Sequence, residues 1–159
     1  MHDAITIERL DAGSPHVRIV TQWTFTAWGH LHPRKTLQNA IEETIFECGA
    51  GGVPSIFVAM QGDIPVGTAS LTADDMSTRP ELTPWLASVF VLPESRGRGI
   101  ASALVQRVEA EAHKNGIRQF YLYTPVQQAL YQRLGWLPVE RLEYRGEVVA
   151  LMSRQLPLA

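Results

Sequence analysis

The stretch PESRGRGIASAL, residues 93–104, sets two glycines, Gly97 and Gly99, in alternation with two arginines, Arg96 and Arg98. An apolar run from Leu86 to Leu92 precedes it. After it, Ile100, Leu104, Val108 and Ala112 recur at helical spacing until Asn115-Gly116 stops the helix. Strand, glycine-rich loop and helix in that order form a general anion-binding arrangement. Glycine lets the backbone approach a ligand closely, and the unpaired amides of the helix N-terminus point at it. The helix dipole adds about 0.3–1 kcal/mol per favourable charge. Arginine adds charge-assisted bonds to phosphate oxygens.

On the N-terminal side, ITIERL (5–10) alternates apolar and polar residues as a half-buried strand does. Ser14-Pro15 reads as a helix start, with Val17, Val20, Ala27 and Leu31 on one face and Gly29 and Pro33 breaking the pattern. A second helix is expected from Thr36, its stripe Leu37, Ile41, Ile45 and Cys48 ending at CGAGG, with Cys48 on a buried face. SIFVAM and IPVGTASL flank Gln61-Gly62-Asp63 as a hairpin, and a polar loop, TADDMSTRPELTP, leads into the strand WLASVFVL. Downstream, IRQFYLY is a strand and Thr124-Pro125 opens a short helix that stops at Gly135. LPVERLEY and EVVALMSRQL form two last strands turning at Arg145-Gly146. The order is β-α-α-β-β-β-α-β-α-β-β. Hairpins on both sides of a β-α-β unit predict a mixed sheet with helices packed on its faces.

The chain has 159 residues, 45% hydrophobic and 19% charged, with a formal net charge of -2. These values predict one soluble domain over 1–159 and argue against a general nucleic-acid binder. A single cysteine excludes an internal disulfide framework and a cysteine-based zinc cluster. MHDAITIERL lacks a basic segment followed by an apolar stretch, and no run approaches the ~20 apolar residues of a membrane span. A cytoplasmic enzyme or binding domain, without membrane attachment, is expected.

Three ligand loops fit a glycine-rich turn of this kind. A nucleotide P-loop requires Lys-Ser or Lys-Thr after the glycines, and neither follows. A dinucleotide fingerprint superficially matches Gly97-Arg98-Gly99-Ile100-Ala101-Ser102, but the next strand ends Tyr121-Leu122-Tyr123-Thr124 without the acid that would hold a ribose. The third fits. Arg96-Gly97-Arg98-Gly99-Ile100-Ala101 matches [QR]-x-x-G-x-[GA], and Ala129-Leu130-Tyr131-Gln132-Arg133-Leu134-Gly135-Trp136 matches A-L-Y-x-x-x-G-[FW]. Both motifs, in this order and separated by one helix and one strand, resemble those of the GNAT superfamily of acyl-CoA-dependent N-acyltransferases. The element order is similar to that family's over nearly the whole chain.

The resemblance implies an α/β (α+β) fold with a mixed, mostly antiparallel twisted sheet flanked by helices. It implies transfer of an acetyl group from acetyl-CoA to an amine by direct attack in a ternary complex, without an acyl-enzyme and without a metal. The loop, Arg96 to Ser102 with Ile100 and Ala101, would hold the pyrophosphate. The backbone of Val89, Phe90 and Val91 would pair with the pantetheine arm, and an amide there would face the thioester oxygen. The chain departs from the pattern at Thr124, where many relatives carry asparagine; threonine can still cap the helix. A non-catalytic acyl-CoA sensor on the same fold is the rival reading.

Tyr131 is the expected general acid: a phenol of pKa near ~10 suits a nascent thiolate, whose reference value is about 8.5. Its alternative is packing among Leu130, Leu134 and Trp136. For the base, Glu81, Asp74, Asp75 and a water chain all stay open. His30 and His32, beside Trp28, have no evident third ligand for a metal; the resemblance implies that their segment lines the acceptor pocket, and the alternative is exposed loop histidines with Trp28 in the core. The acceptor is a small-molecule or peptide amine. Homodimers are common among such domains, and no apolar stripe here demands one.

Overall fold

The computed structural model describes residues 4–157; Met1–Asp3, the start of the stretch read for a leader, lie outside it. The elements follow the expected order: β1 (Ile5–Arg9), α1 (Val17–Trp28), α2 (Leu37–Glu47), β2 (Ser55–Gln61), β3 (Ile64–Thr72), β4 (Trp85–Val91), α3 (Ile100–Lys114), β5 (Gln119–Thr124), α4 (Gln128–Arg133), β6 (Leu137–Tyr144) and β7 (Glu147–Gln155). The strands form one seven-stranded sheet in the order β1-β2-β3-β4-β5-β7-β6. Every neighbouring pair is antiparallel except β4 and β5, which run parallel across the α3 crossover. No described helix is long and apolar enough to cross a membrane.

Alternation along the strands divides the apolar residues between two faces. Phe57, Leu71, Leu86, Val91, Phe120, Leu122 and Met152 turn to the face covered by α3, meeting Leu104, Val105 and Val108. On the other face Ile56, Val58 and Met60 pack under Val17, Val20 and Trp23 of α1. Further along that face, Trp85, Val149 and Leu151 are covered by Met76 from the β3–β4 loop and by Tyr144.

The helices differ from the sequence reading in three respects, two of them boundaries. α1 begins at Val17, not at Pro15, because the Ser14 hydroxyl accepts the His16 amide (3.0 Å) in a turn ahead of the helix. α4 begins at Gln128, since Thr124 Oγ1 accepts the Gln127 amide (3.0 Å) and holds one non-helical turn first. The third difference concerns burial. α2 starts where expected, with a Thr36–Asn39 capping box, but none of its residues is buried and Ile45 is 43% exposed. Cys48 is the half-buried residue that ends α2, not part of a buried face. The cause is position: α2 leans on α1, where Thr21 Oγ1 bonds Thr44 Oγ1 (2.8 Å), and not on the sheet.

Opposite α2, an ion cluster joins α3 to β1. The Glu111 side chain, 1% exposed, meets Arg9 at 2.9 Å and Arg107 at 3.1 Å and accepts the Gly52 amide at 2.8 Å. Burial alone would raise its pKa. The Gly52 amide and the two guanidiniums overcome that and hold it down at about 2.

Candidate active site

β4 and β5 meet at a single register position, Trp85 with Tyr121. Beyond it the two strands part, so β4 from Ala87 to Val91 has a neighbour, β3, on one edge only. A β-bulge sits at the start of this open edge. Phe90 lies opposite Thr68 and Ala87 opposite Ser70, so β4 advances three residues where β3 advances two. Ser88, with φ +55°, absorbs the extra residue. The bulge also shifts the alternation. Leu86 and Val89 both pack toward α3, while Phe90 turns to α1, stacking on Trp23 at 5.7 Å and meeting Trp28 edge-on at 6.5 Å.

Both helices that follow the parallel strands start at the open end of this gap. At the end of β4, Gly97 (φ +81°) and Gly99 (φ +78°) take the left-handed conformation that L side chains disfavour. A Cβ on either would meet nothing within 4 Å, so it is the backbone path and not crowding that requires glycine. No backbone amide from Gly97 to Ser102 has a backbone acceptor among the described residues. Ile100 is buried and anchors α3, Ala101 and Ser102 are half-buried, and Gly97, Arg98 and Gly99 face solvent. The two arginines separate in role. Arg96 Nε donates to the Val91 carbonyl (2.9 Å) and its guanidinium lies 5.9 Å from the Phe90 ring centre, so it braces the loop against β4. Arg98 makes no ion pair or hydrogen bond among the described residues. Open glycines, free amides and one uncommitted arginine fit a phosphate group.

At the end of β5, α4 carries Tyr131, 7% exposed and edge-on to Trp136 at 6.2 Å. Burial pushes its phenol up to about 12. The turn after α4 needs Gly135 for its φ of +99°, and the Arg154 guanidinium donates to the Gly135 carbonyl (3.0 Å).

The opposite end of the gap, where β4 begins, has a different wall. Tyr144 Oη accepts the Ser77 amide (3.0 Å) and Arg145 Nε (3.1 Å), and Arg145 also reaches the Leu31 carbonyl (3.2 Å). Despite its burial, the donors from Ser77 and Arg145 hold the Tyr144 phenol below its ordinary value. This network ties the β3–β4 loop, the β6–β7 turn and the segment between α1 and α2 together. Beside it lies an open groove of about 830 Å³ lined by residues including Leu31, His32, Lys35, Phe46, Glu47 and Arg145. His32 lines this groove, while His30 is exposed outside it. Burial and the charges of Lys35 and Arg145 lower the His32 pKa. No cluster of three metal-ligating side chains occurs among the described residues.

The carboxylates proposed from sequence separate as well. Asp74 and Glu81 are exposed on the loop. Asp75 is half-buried, and burial followed by the charge of Glu47 raises its pKa to about 7. Sequence reasoning missed Glu47, Tyr123, Tyr144 and Arg145 altogether. Arg145-Gly146 carried only a turn signal, and no local pattern links it to Leu31, over a hundred residues away.

Comparison with known proteins places the chain. The model of the acetyltransferase (GNAT) family matches residues 17–136. Among curated proteins, an aminoglycoside N(6')-acetyltransferase type 1 of Acinetobacter baumannii is 37% identical over 71 residues, 42% of this chain and 49% of that protein. The chain thus matches about half the length of that relative. Two solved structures share the fold. One, from Salmonella typhimurium and determined with acetyl-CoA, has a TM-score of 0.73 at 18% identity, covering 99% of this chain and 96% of the other. Another is a spermidine N-acetyltransferase from Vibrio cholerae in complex with CoA and spermine, with a TM-score of 0.71 at 18% identity and 95% of both chains covered.

Proposed function

Because this chain belongs to the acetyltransferase (GNAT) family, we propose that it moves an acetyl group from acetyl-CoA to an amine by direct attack within a ternary complex. The observation that carries the reading is the coincidence, at one end of the sheet, of the open Gly97–Gly99 loop with the gap between β4 and β5. The amides of Gly97 to Ser102, aided by Arg98, bind the pyrophosphate. Arg96 acts from behind by holding the loop to β4. The free edge of Val89, Phe90 and Val91 accepts the pantetheine arm as an added strand, and the bulge at Ser88 offers a backbone amide to the thioester oxygen. Donors aimed at a developing oxyanion are typically worth about 3–4 kcal/mol each.

The acceptor enters from the other end, past Asp75, Tyr123 and Arg145. Its neutral nitrogen attacks the carbonyl, the C–N bond forms and the C–S bond breaks. Tyr131 stays protonated at every physiological pH. Full proton transfer from a phenol near 12 to a free thiolate of about 8.5 is uphill by roughly 5 kcal/mol. Tyr131 therefore acts first as a hydrogen-bond donor to the departing sulfur and delivers its proton only as the thiolate's charge develops. The proton it gives up is replaced from the attacking nitrogen through solvent.

Calorimetric titration with acetyl-CoA, CoA and NAD tests the reading. Micromolar binding of both CoA species and none of NAD is expected, followed by thiol release when spermine or an aminoglycoside such as kanamycin is added. The aminoglycoside acetyltransferase and the spermine-bound spermidine acetyltransferase among the chain's relatives motivate those two amines. A folded sample that binds no CoA species would overturn the proposal, and binding without turnover on any amine would assign the non-catalytic role instead.

A further inference from the structure

We propose that Asp75 is the base that takes a proton from the acceptor's ammonium group, with Glu47 tuning it; the inference rests on the acetyl-transfer reading and deepens it. Three observations carry it. The first is place. Asp75 lies three residues after β3 ends at Thr72, and Thr72 pairs with Trp85, the first residue of β4. The pyrophosphate loop follows the last residue of β4, so a cofactor arm laid along Val91 to Val89 brings its acyl end to Ser88. That point is roughly 10 Å from Trp85 at ~3.3 Å per residue. An acceptor must come from the Asp75 side.

The second observation is surroundings. The next residue, Met76, is 2% exposed and packs with Trp85, Tyr123 and Tyr144, which fixes the loop over the point where β4 and β5 part. Ser77 is held by Tyr144, and the Arg79–Glu140 ion pair (2.6 Å) ties the loop to β6. The titratable groups whose charges bear on Asp75 are Glu47 of α2 and Tyr123 of β5, and Tyr144 and Arg145 flank Tyr123 in turn. Burial and then the charge of Asp75 raise the Tyr123 phenol, so Tyr123 remains neutral beside it.

The third is the lack of a partner. No hydrogen bond or ion pair satisfies the half-buried Asp75 carboxylate among the described residues. A half-buried carboxylate near Glu47, with no hydrogen-bond or ion-pair partner, makes no contact that holds the fold together. It is poised for one cation that arrives from outside. Asp74 and Glu81, exposed on the same loop, lack this setting.

The proton balance is complete. The acceptor ammonium loses one proton to Asp75 and becomes a neutral amine; Asp75 later releases that proton to solvent. After attack, the nitrogen loses its second proton as the sulfur gains one. The sum is ammonium plus thioester giving amide, thiol and one proton.

The test is the pH profile of kcat/KM with spermine and with kanamycin, for the wild type, Asp75→Asn, Asp75→Glu and Glu47→Gln, together with melting temperatures. In the wild type kcat/KM rises through about pH 7, as Asp75 loses its proton. Asp75→Asn should lose that limb and fall by roughly 10², while keeping its affinity for acetyl-CoA. Asp75→Glu should restore the limb in part, and Glu47→Gln should move it to lower pH. Stability gives a readout independent of activity. Because the folded carboxyl binds its proton more tightly than the unfolded one, charging it destabilises the fold as pH rises from about 4 to about 7. Asp75→Asn should therefore melt several degrees higher than wild type at pH 8 and about equally at pH 4. A limb near pH 7 that survives in Asp75→Asn would overturn the inference, and so would an unchanged melting difference across pH. Absence of turnover on either amine by the wild type would strike the acetyl-transfer reading, while the melting data still judge the poised carboxylate.

Discussion

Tyr131 shows how far one residue can be read from its neighbours. Its place four residues before Gly135 marks it within a motif, and its packing on Trp136 marks it as core; the structure contains both. Burial that raises its pKa also removes water from the phenol, which strengthens a hydrogen bond to a developing charge. Tyr131→Phe keeps the ring and removes the donor. It should lower kcat by about 10²-fold and change the Kd for acetyl-CoA by no more than about twofold. Stopped-flow turnover beside calorimetry checks this, and equal kcat in the two proteins would remove the tyrosine from the reaction. The arginines were less legible. Arg96 and Arg98 are equivalent as a pattern, yet the chain turns one back onto the Val91 carbonyl and Phe90 and leaves the other in solvent. That division depends on where β4 ends relative to the loop, which spacing alone does not state. Arg98→Ala should thus weaken acetyl-CoA binding without lowering the melting temperature, whereas Arg96→Ala should lower both.

At the scale of elements, the strand–loop–α3 unit was legible because its signals are local. Left-handed turns favour glycine, and a helix of 15 residues carries its own periodicity. The open space in front of Gly99 makes a clean test. Gly99→Glu adds a side chain at φ +78°, which costs about 1–2 kcal/mol of backbone strain. It also sets a carboxylate where the phosphate should lie. The variant should fold, melt a few degrees lower and bind acetyl-CoA at least tenfold more weakly; normal binding would mean the loop holds something else. The bulge at Ser88 was not legible. A bulge is a mismatch between two strands, and WLASVFV reads as an uninterrupted strand until IPVGTASL is laid beside it. α2 gave the opposite error. Its apolar stripe is genuine, but periodicity reports which face is apolar and not whether anything covers it. Ile41 and Cys48 pack against the α1 cluster, whereas Ile45 stays 43% exposed and Phe46, 81% exposed, lines the groove.

Across the whole molecule, one sheet holds the two ends of the site about a strand's length apart, and the ion cluster on Glu111 ties α3, β1 and the turn before β2 into that frame. The Glu111 pKa falls on folding from its ordinary 4.5 to about 2. Its contribution is therefore present above about pH 4.5 and lost as pH falls through about 2, roughly 3 kcal/mol in all. Glu111→Gln should lower stability near neutral pH and flatten the acid limb of a urea-unfolding series; an unchanged limb would show that other carboxylates carry it. The sequence by itself determined the order of the elements and the positions of the left-handed glycines, since each rests on dihedral preferences, capping and periodicity within a few residues of one another; two local motifs, Arg96–Ala101 and Ala129–Trp136, carried the resemblance to the family. Tertiary structure alone decided which arginine is free, where β4 gives up its second neighbour and which loop carboxylate is half-buried. The first depends on where β4 ends relative to the loop, the second on how β5 is laid beside β4, and the third on the packing of the β3–β4 loop onto Trp85 and Tyr144, all contacts between residues far apart in the chain.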